Sequence, residues 1–490
     1  MQYKLKPYPH QLTALKLADS HRDVGLFWEM GSGKTGGVIN ILRQKYARKG
    51  RVMRTLILSP LVTLHNWKEE FKIHSYADEN LIHILKGSST QKLKKFMDWS
   101  CNKETGEIGG DYVYITNYEA LNSKKLFDFL LAWQPEIIIA DEAHYLKNPT
   151  AKRTKAAIKL GDKSYHNFIL TGTPILNSVK DVFGMFRFLD RGDTFGKNFH
   201  VYVNTYMEDE NAGWKNSTSH FPKLVARTEK YDELTEKIYV KCHRVLKKDV
   251  IKDLPPLVKK VIRVELSPEQ MKYYKEMERD FVTFVQEKEK QKEMSGAVVA
   301  QLAVTKALRL QQIVTGHVNT EDGEVIFIQN NPRLDELGRL VDEIVVENGH
   351  KCILWCSFRA NYTQLSKMCE EKKINYVMLT GEQNLDQKQA SMKEFNNDPN
   401  TKIIIANRRA GGIGINLVAA SYSIVYSRNF SLADELQSEA RNHRGGSQIH
   451  SSITKIDLAA INTIDERVLE ALKNKEDVSK RIIDLVKEIK

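Results

Sequence analysis

The run VGLFWEMGSGKT, from Val24 to Thr35, decides the fold class. Its first five residues form a short apolar stretch that ends in a glycine-rich turn, the pattern of a strand buried on both faces. A helix-period segment opens at Lys34 and Thr35. A glycine turn between such a strand and helix gathers backbone N–H groups around one point, where phosphate oxygens fit. A lysine there reaches the terminal phosphates, and the following hydroxyl can ligate Mg²⁺. Met30, Gly31, Ser32, Gly33, Lys34 and Thr35 are therefore the candidate nucleotide cradle. The strict pattern wants glycine five positions before Gly33, where this chain has Trp28. A turn that merely caps a helix is the plain alternative for this segment alone.

Working outward, similar runs recur: TLILS (55–59), YVYIT (112–116), EIIIA (136–140) and HNFIL (166–170). Helix-period stretches such as LVTLHNWKEEF lie between them. Strand–helix alternation predicts a parallel sheet covered on both faces. The pattern restarts with KCILWC (351–356), NYVML (375–379), KIIIA (402–406), SIVYS (423–427) and SITKID (452–457). The middle, roughly 185–345, reads as helical and charge-rich, and a hinge is placed just beyond Pro255–Pro256. Thr463 and Glu466 have capping-box spacing and open an amphipathic helix expected to run to the end.

Two acidic residues, Asp141 and Glu142, follow EIIIA in the tetrad DEAH. Asp141 can hold Mg²⁺ through water, and Glu142 can orient and deprotonate the water that attacks a γ-phosphate. His144 is ambiguous taken alone, and within this tetrad it is expected to couple nucleotide state to the rest of the unit. Leu170-Thr171-Gly172-Thr173-Pro174 ends the next strand, and its hydroxyls are expected to bond the acidic pair. An ST-turn at a helix start is the plainer reading of that segment in isolation. RAGGIGIN (409–416) allows close backbone approach to a phosphate or a nucleic-acid backbone. Arg441 and Arg444 are three apart, which on a helix puts them on one face as a phosphate clamp.

Taken in order, these segments resemble the superfamily 2 helicase-like ATPases, and within them the Snf2 family. EMGSGKT, LILSPLVTLHNWKEEF, DEAHYLKNPTAKRTKA and LTGTPILNS resemble its motifs I, Ia, II and III. ILWCSFR, LTGEQNLDQKQ, RRAGGIGINLVAA and QSEARNHRGGSQ resemble motifs IV, IVa, V and VI. HRVLKKDVIKDLPPLVKKVIRVELSPEQ and ALRLQQIVTGH with NPRLDEL are also Snf2-like. The resemblance implies an α/β fold of two RecA-like parallel-sheet lobes with helical insertions between them. It places lobe 1 at 1–190, its insertion and a linker at 191–262, the insertion of lobe 2 at 263–345, and lobe 2 at 346–490. ATP and Mg²⁺ are the implied cofactors, with Gln11 reading adenine and Gly414 also at the nucleotide. Lys34, Asp141, Glu142, Arg441 and Arg444 carry hydrolysis; His144, Thr171, Thr173 and Gln437 couple it to movement. DNA-backbone contacts fall by similarity on Pro60, Asn117, Tyr118, Ser357, Phe358, Arg359, Thr380, Gly381 and Gly412.

Trp28, Asn407, Arg408 and the ending Gly445-Gly446-Ser447-Gln448 depart from the family's pattern without removing a catalytic group. The chain has 490 residues, for which about 150 residues per domain suggests three units. It carries 74 Lys+Arg against 62 Asp+Glu, a net +12, which suits a polyanionic partner. A 41% hydrophobic, 28% charged composition fits a soluble globular protein. No apolar run spans a membrane and no secretion signal opens the chain, so no membrane partner is expected. Five cysteines without zinc spacing read as reduced thiols, with no structural zinc. A bare motor of this size suggests a monomer in the cytoplasm of a bacterium or a virus-infected cell rather than in a nucleus. The expected activity is ATP-driven translocation on double-stranded or branched DNA. An RNA helicase, a remodelling motor working with partner subunits, and a scaffold with a degenerate nucleotide site are the alternatives.

Overall fold

The computed structural model describes residues 3–102, 104–172, 179–209, 224–250, 254–291, 296–320, 322, 324–408, 416–428 and 431–473. The chain divides into two units, Met1–Lys252 and Asp253–Lys490.

The first unit holds β1 (Val24–Trp28), β2 (Thr55–Leu58), β3 (Ile82–Ile84), β4 (Val113–Thr116), β5 (Ile137–Asp141), β6 (His166–Leu170), β7 (Met207–Asp209), β8 (Leu224–Ala226) and β9 (Cys242–Val245). Its main sheet runs β3-β4-β2-β5-β6-β1-β9 and is parallel throughout. Residue alternation splits the apolar side chains between two layers. Phe27, Leu56, Leu58, Ile138 and Ile169 pack into one core. Leu26, Trp28, Ile57, Ile139 and Phe168 pack into the other. Both faces are covered by helices, so the strands read as continuous apolar runs.

The second unit holds β10 (Leu257–Val264), β11 (His317–Asn319), β12 (Val325–Phe327), β13 (Cys352–Cys356), β14 (Tyr376–Leu379), β15 (Ile403–Asn407), β16 (Tyr422–Val425) and β17 (Ile453–Ala460). Its sheet, β10-β17-β16-β13-β15-β14, is also parallel. Cys352, Cys356 and Cys369 pack in one core with Leu354 and Ile405. Burial pushes the thiols of Cys352 and Cys356 well above the ordinary range. Helices Pro268–Gln291 and Gly296–Val314 join this unit through Tyr274, Leu310 and Val314, which pack against Ile464 and Val468 of helix Ile464–Lys473. Among the described residues, no helix is long and apolar enough to cross a membrane.

The middle departs from the purely helical expectation. β9 lies within 191–262 yet adds a strand to the first sheet beside β1, with Gly25 opposite Cys242. β10 crosses the expected 262/263 boundary and forms an edge of the second sheet beside β17. Lys259, Lys260, Val261 and Arg263 of β10 are partly or well exposed, so this strand lacks a buried apolar signature. The unit boundary at 252/253 precedes Pro255–Pro256, so the prolines lead into β10 instead of ending before a hinge. At the last helix, Asp465 N–H donates to the Thr463 hydroxyl, while Glu466 accepts from Asn462 N–H, one residue earlier than a capping box requires. Residues 474–490 lie outside the described residues.

Candidate functional site

β1 delivers the glycine turn in the first unit. Gly31 and Gly33 take left-handed φ of 81° and 82°, which glycine adopts without a Cβ penalty. Lys34 begins helix Lys34–Lys49, and its ammonium donates to Trp28 O at 2.7 Å and Glu29 O at 3.3 Å. The lysine thus folds back over its own turn. Met30 and Thr35 are half-buried; the Ser32 hydroxyl closes the turn by donating to Glu29 O at 2.6 Å. Gln11 is buried under the turn: its amide N–H donates to Gly33 O at 3.0 Å, and its carbonyl accepts from Tyr8 N–H at 2.9 Å.

His10 was not foreseen. Its Nε2 lies 2.8 Å from Ser32 O, and since a carbonyl only accepts, Nε2 carries the proton. Burial lowers its pKa, keeping the ring neutral. The Trp28 departure now has an explanation. The indole is fully buried, edge-on to His10 at 4.7 Å, and donates to His243 Nδ1 on β9 at 3.1 Å. Gly37 makes room, since a Cβ there would meet the indole at 2.9 Å. Trp28 therefore props the turn from below.

β5 delivers the acidic pair. Asp141 is buried, and its Oδ2 accepts from Ser59 Oγ and Trp67 Nε1, each at 2.9 Å. Its Oδ1 accepts from Glu142 N–H at 3.0 Å. Burial pushes the Asp141 carboxyl up to about 6, helped by the neighbouring Glu142 charge. The Trp67 and Ser59 hydrogen bonds and the Lys34 charge pull the other way. Glu142 is buried with φ 49°, an uncommon conformation for a carboxylate side chain, and its Oε2 lies 3.3 Å from His144 Nδ1. Thr171 is fully buried and tied through its N–H to Leu26 O at 3.1 Å; Thr173 lies outside the described residues. The hydroxyl seen on Asp141 comes from Ser59, the last residue of the TLILS run, to which the sequence reading gave no role.

The acidic pair and the turn offer Mg²⁺ a hydroxyl from Thr35 and a carboxylate from Asp141, the hard oxygens this ion takes. A carboxylate has about four acceptor sites, and three protein donors orient Asp141 while leaving one for a metal-bound water. The residues present therefore fit the ion.

The expected DNA contacts of this unit fare differently. Pro60 is buried, and its carbonyl accepts from Thr63. Asn117 is buried and bonded to Lys92 Nζ and Glu119, and burial lowers the Lys92 pKa. Tyr118 is fully buried: its hydroxyl donates to Asp141 O at 2.6 Å, and its ring stacks on Tyr145. Its side chain supports the acidic pair rather than offering a surface contact.

In the second unit Ser357 follows β13, and its N–H donates to Ser427 Oγ at 2.7 Å. Phe358 lies edge-on to the buried His317 at 5.5 Å. Arg359 is 84% exposed and pairs with Glu382 at 3.2 Å. Thr380 is buried, while Gly381 is open to solvent. Gly412 and Gly414 lie outside the described residues. Gln437 is half-buried on helix Leu432–Glu439. That helix stops before Arg441 and Arg444, which corrects the expectation of a shared helix face. Arg441 is buried in the turn that follows, its carbonyl taken by Leu417 N–H at 3.0 Å; the Arg444 carbonyl accepts from Ser447 N–H at 2.9 Å.

The chain is similar to several known proteins. Residues 11–316 match the SNF2-related domain, and 334–446 match the helicase conserved C-terminal domain. The CHD3-type chromatin-remodeling factor PICKLE of Arabidopsis thaliana is 27% identical over 498 residues, covering 96% of this chain and 34% of its own. An uncharacterized ATP-dependent helicase of Mycoplasma pneumoniae is 27% identical over 457 residues, covering 93% of this chain and 40% of its own. The chain thus spans well under half the length of these relatives. The Sulfolobus solfataricus SWI2/SNF2 ATPase core in complex with dsDNA is 21% identical, with a TM-score of 0.42, over 98% of this chain and 93% of that one.

Proposed function

The chain belongs to the SNF2-related family, and on that premise we propose that it is a DNA-dependent ATPase that moves along duplex DNA. The observation that carries the reading is the pairing of a lysine-headed glycine turn with a buried acidic pair in one unit. In the proposed reaction Lys34 leaves its turn carbonyls for the terminal phosphates. Asp141, oriented by Ser59 and Trp67, and Thr35 would hold Mg²⁺, which when bound would neutralise phosphate charge. Glu142 orients the attacking water and takes its proton, and Arg441 and Arg444 of the second unit stabilise the charge that develops. We place DNA tracking on the exposed side of the second unit, with Arg359 and Gly381 the open members of the expected set. Forked or four-way DNA is the proposed substrate form, and displacement of bound protein a further outcome of the same movement.

Trp67→Phe removes one of two side-chain donors to Asp141. Losing a hydrogen bond to a charged group costs about 1.5–3 kcal/mol, so phosphate release should slow roughly tenfold or more. A wild-type rate would mean that Trp67 only packs.

Steady-state ATP hydrolysis should be measured without nucleic acid and with single strand, duplex, fork, four-way junction and RNA. Stimulation by duplex or branched DNA well above RNA supports the reading; stimulation by RNA alone overturns it. Affinity for DNA should fall linearly on a log–log salt plot, with a slope of about −0.9 per phosphate contacted. Arg359→Ala should flatten that slope by about 1, and an unchanged slope would remove Arg359 from the contact set.

A further inference from the structure

Arg408 stands immediately after β15 and departs from the family's usual small hydroxyl residue. Its guanidinium is fully buried and pairs with Glu435 on helix Leu432–Glu439. Glu435 also takes the ammonium of Lys455 from β17. Lys455 lies 3.7 Å from Asp457, which accepts from Arg428 at 3.0 Å. Glu439, one turn beyond Glu435 on the same helix face, is gripped by Lys259 of β10 at 2.6 Å and lies 3.9 Å from Lys455. Cations from β10, from β17 and from the residue that follows β15 thus hold two carboxylates of one helix.

The arrangement is poorly suited to stability alone. Arg408, Arg428 and Lys455 are buried against the buried carboxylates Glu435 and Asp457, with half-buried Glu439 3.9 Å from Lys455 and the charge of buried Asp465 also acting on Arg428. Among the described residues, Arg408 Nε and Nη2, and Arg428 Nε and Nη1, have no hydrogen-bond partner. Buried pairs recover their desolvation cost only when every donor is satisfied, and their best-attested use is to fix register.

The position of the cluster says which register. Arg408 to Glu435 ties the end of β15 to this part of the chain; farther on, Leu417 N–H donates to Arg441 O at 3.0 Å and Asn442 Nδ2 to Ala420 O at 3.3 Å. The glycine-rich segment is bracketed in sequence by two anchors, both on the segment that carries Arg441 and Arg444. We propose that Arg408 and Glu435 are positioning residues that lock the arginine-bearing segment to the end of β15, setting where Arg441 and Arg444 stand during hydrolysis. This inference rests on the ATPase reading above.

The test compares Arg408→Met, Arg408→Lys and Glu435→Gln in the full chain, measuring kcat and KM for ATP with saturating duplex DNA, and thermal midpoints. Arg408→Met removes one cation and leaves Arg428 and Lys455 balanced by Glu435 and Asp457, so its midpoint should hold or rise. Its kcat should nonetheless fall about tenfold with KM unchanged, since positional coupling of this kind is worth a few-fold to thirtyfold. Arg408→Lys should recover part of kcat. Glu435→Gln should lower both kcat and the midpoint, because it strips a carboxylate from the cations. A role in packing alone would move kcat and midpoint together in Arg408→Met; that result, an unchanged kcat, or a rise confined to KM would overturn the proposal. Absence of DNA-stimulated turnover in the unsubstituted protein would instead overturn the ATPase reading together with this one.

Discussion

Glu142→Gln should leave ATP bound and reduce hydrolysis by about 10²–10⁴-fold, the share that a positioned general base contributes. The amide keeps the size of the carboxylate and its place at the end of β5. What it loses is the proton acceptor. Stability should not suffer, because the native arrangement buries two adjacent carboxylates and each charge penalises the other. Neutralising Glu142 removes one of the causes that push Asp141 up, so Asp141 should ionise more readily in the variant. The strained φ of 49° remains, since glutamine meets the same backbone restriction. The expected signature is an intact or raised thermal midpoint, near-native ATP affinity and almost no phosphate release. Binding is read with a fluorescent nucleotide and turnover by phosphate release. Full turnover would exclude Glu142 as the base. Lost binding with lost turnover would mean that the carboxylate shapes the pocket instead.

The reach of the sequence differs from feature to feature. The inner strands of both sheets are legible because helices cover both faces, which makes each strand a continuous β-branched run. Ile137–Asp141 and Ile403–Asn407 are buried along nearly their whole length. β10 escapes because it lies at an edge and carries lysines, and β9 because four residues around Arg244 give no periodicity. The glycine turn and the acidic pair are legible because each is a local string. Their supports are not: Ser59 and Trp67 reach Asp141 across 82 and 74 residues. Such contacts are set by strand order, and no short-range pattern encodes them. Tyr118 shows the opposite error, a residue matched to a surface role by similarity whose side chain the fold buries beneath Asp141. The arginine pair shows how tertiary bonds override helix spacing. QSEARNHR keeps a helical period, yet Leu417 takes the Arg441 carbonyl and Asn442 turns its amide to Ala420. The Arg441 carbonyl is thereby taken from the helix ladder, and Gly446 follows with φ 102°.

That turn makes Arg444 the informative arginine. Arg444→Ala should spare ATP binding by the first unit and suppress hydrolysis by about 10³-fold or more, the range for an arginine that stabilises a transferring phosphoryl group. Arg441 is a less clean target because it is buried and its backbone holds Leu417, so its truncation mixes folding with catalysis. Arg444 is half-buried, and truncating it should change the thermal midpoint little. Arg444→Lys separates charge from geometry. An ammonium keeps the charge but lacks the planar fork that meets two phosphate oxygens at once. If Arg444 acts on the phosphoryl group, lysine should recover only a small part of the rate. If Arg444 serves the second unit as a general positive charge, lysine should restore most of it. A variant that binds ATP, keeps its midpoint and still hydrolyses at the wild-type rate would remove Arg444 from the chemistry. The clamp would then rest on Arg441, whose place is set by the anchors at Glu435 and Leu417.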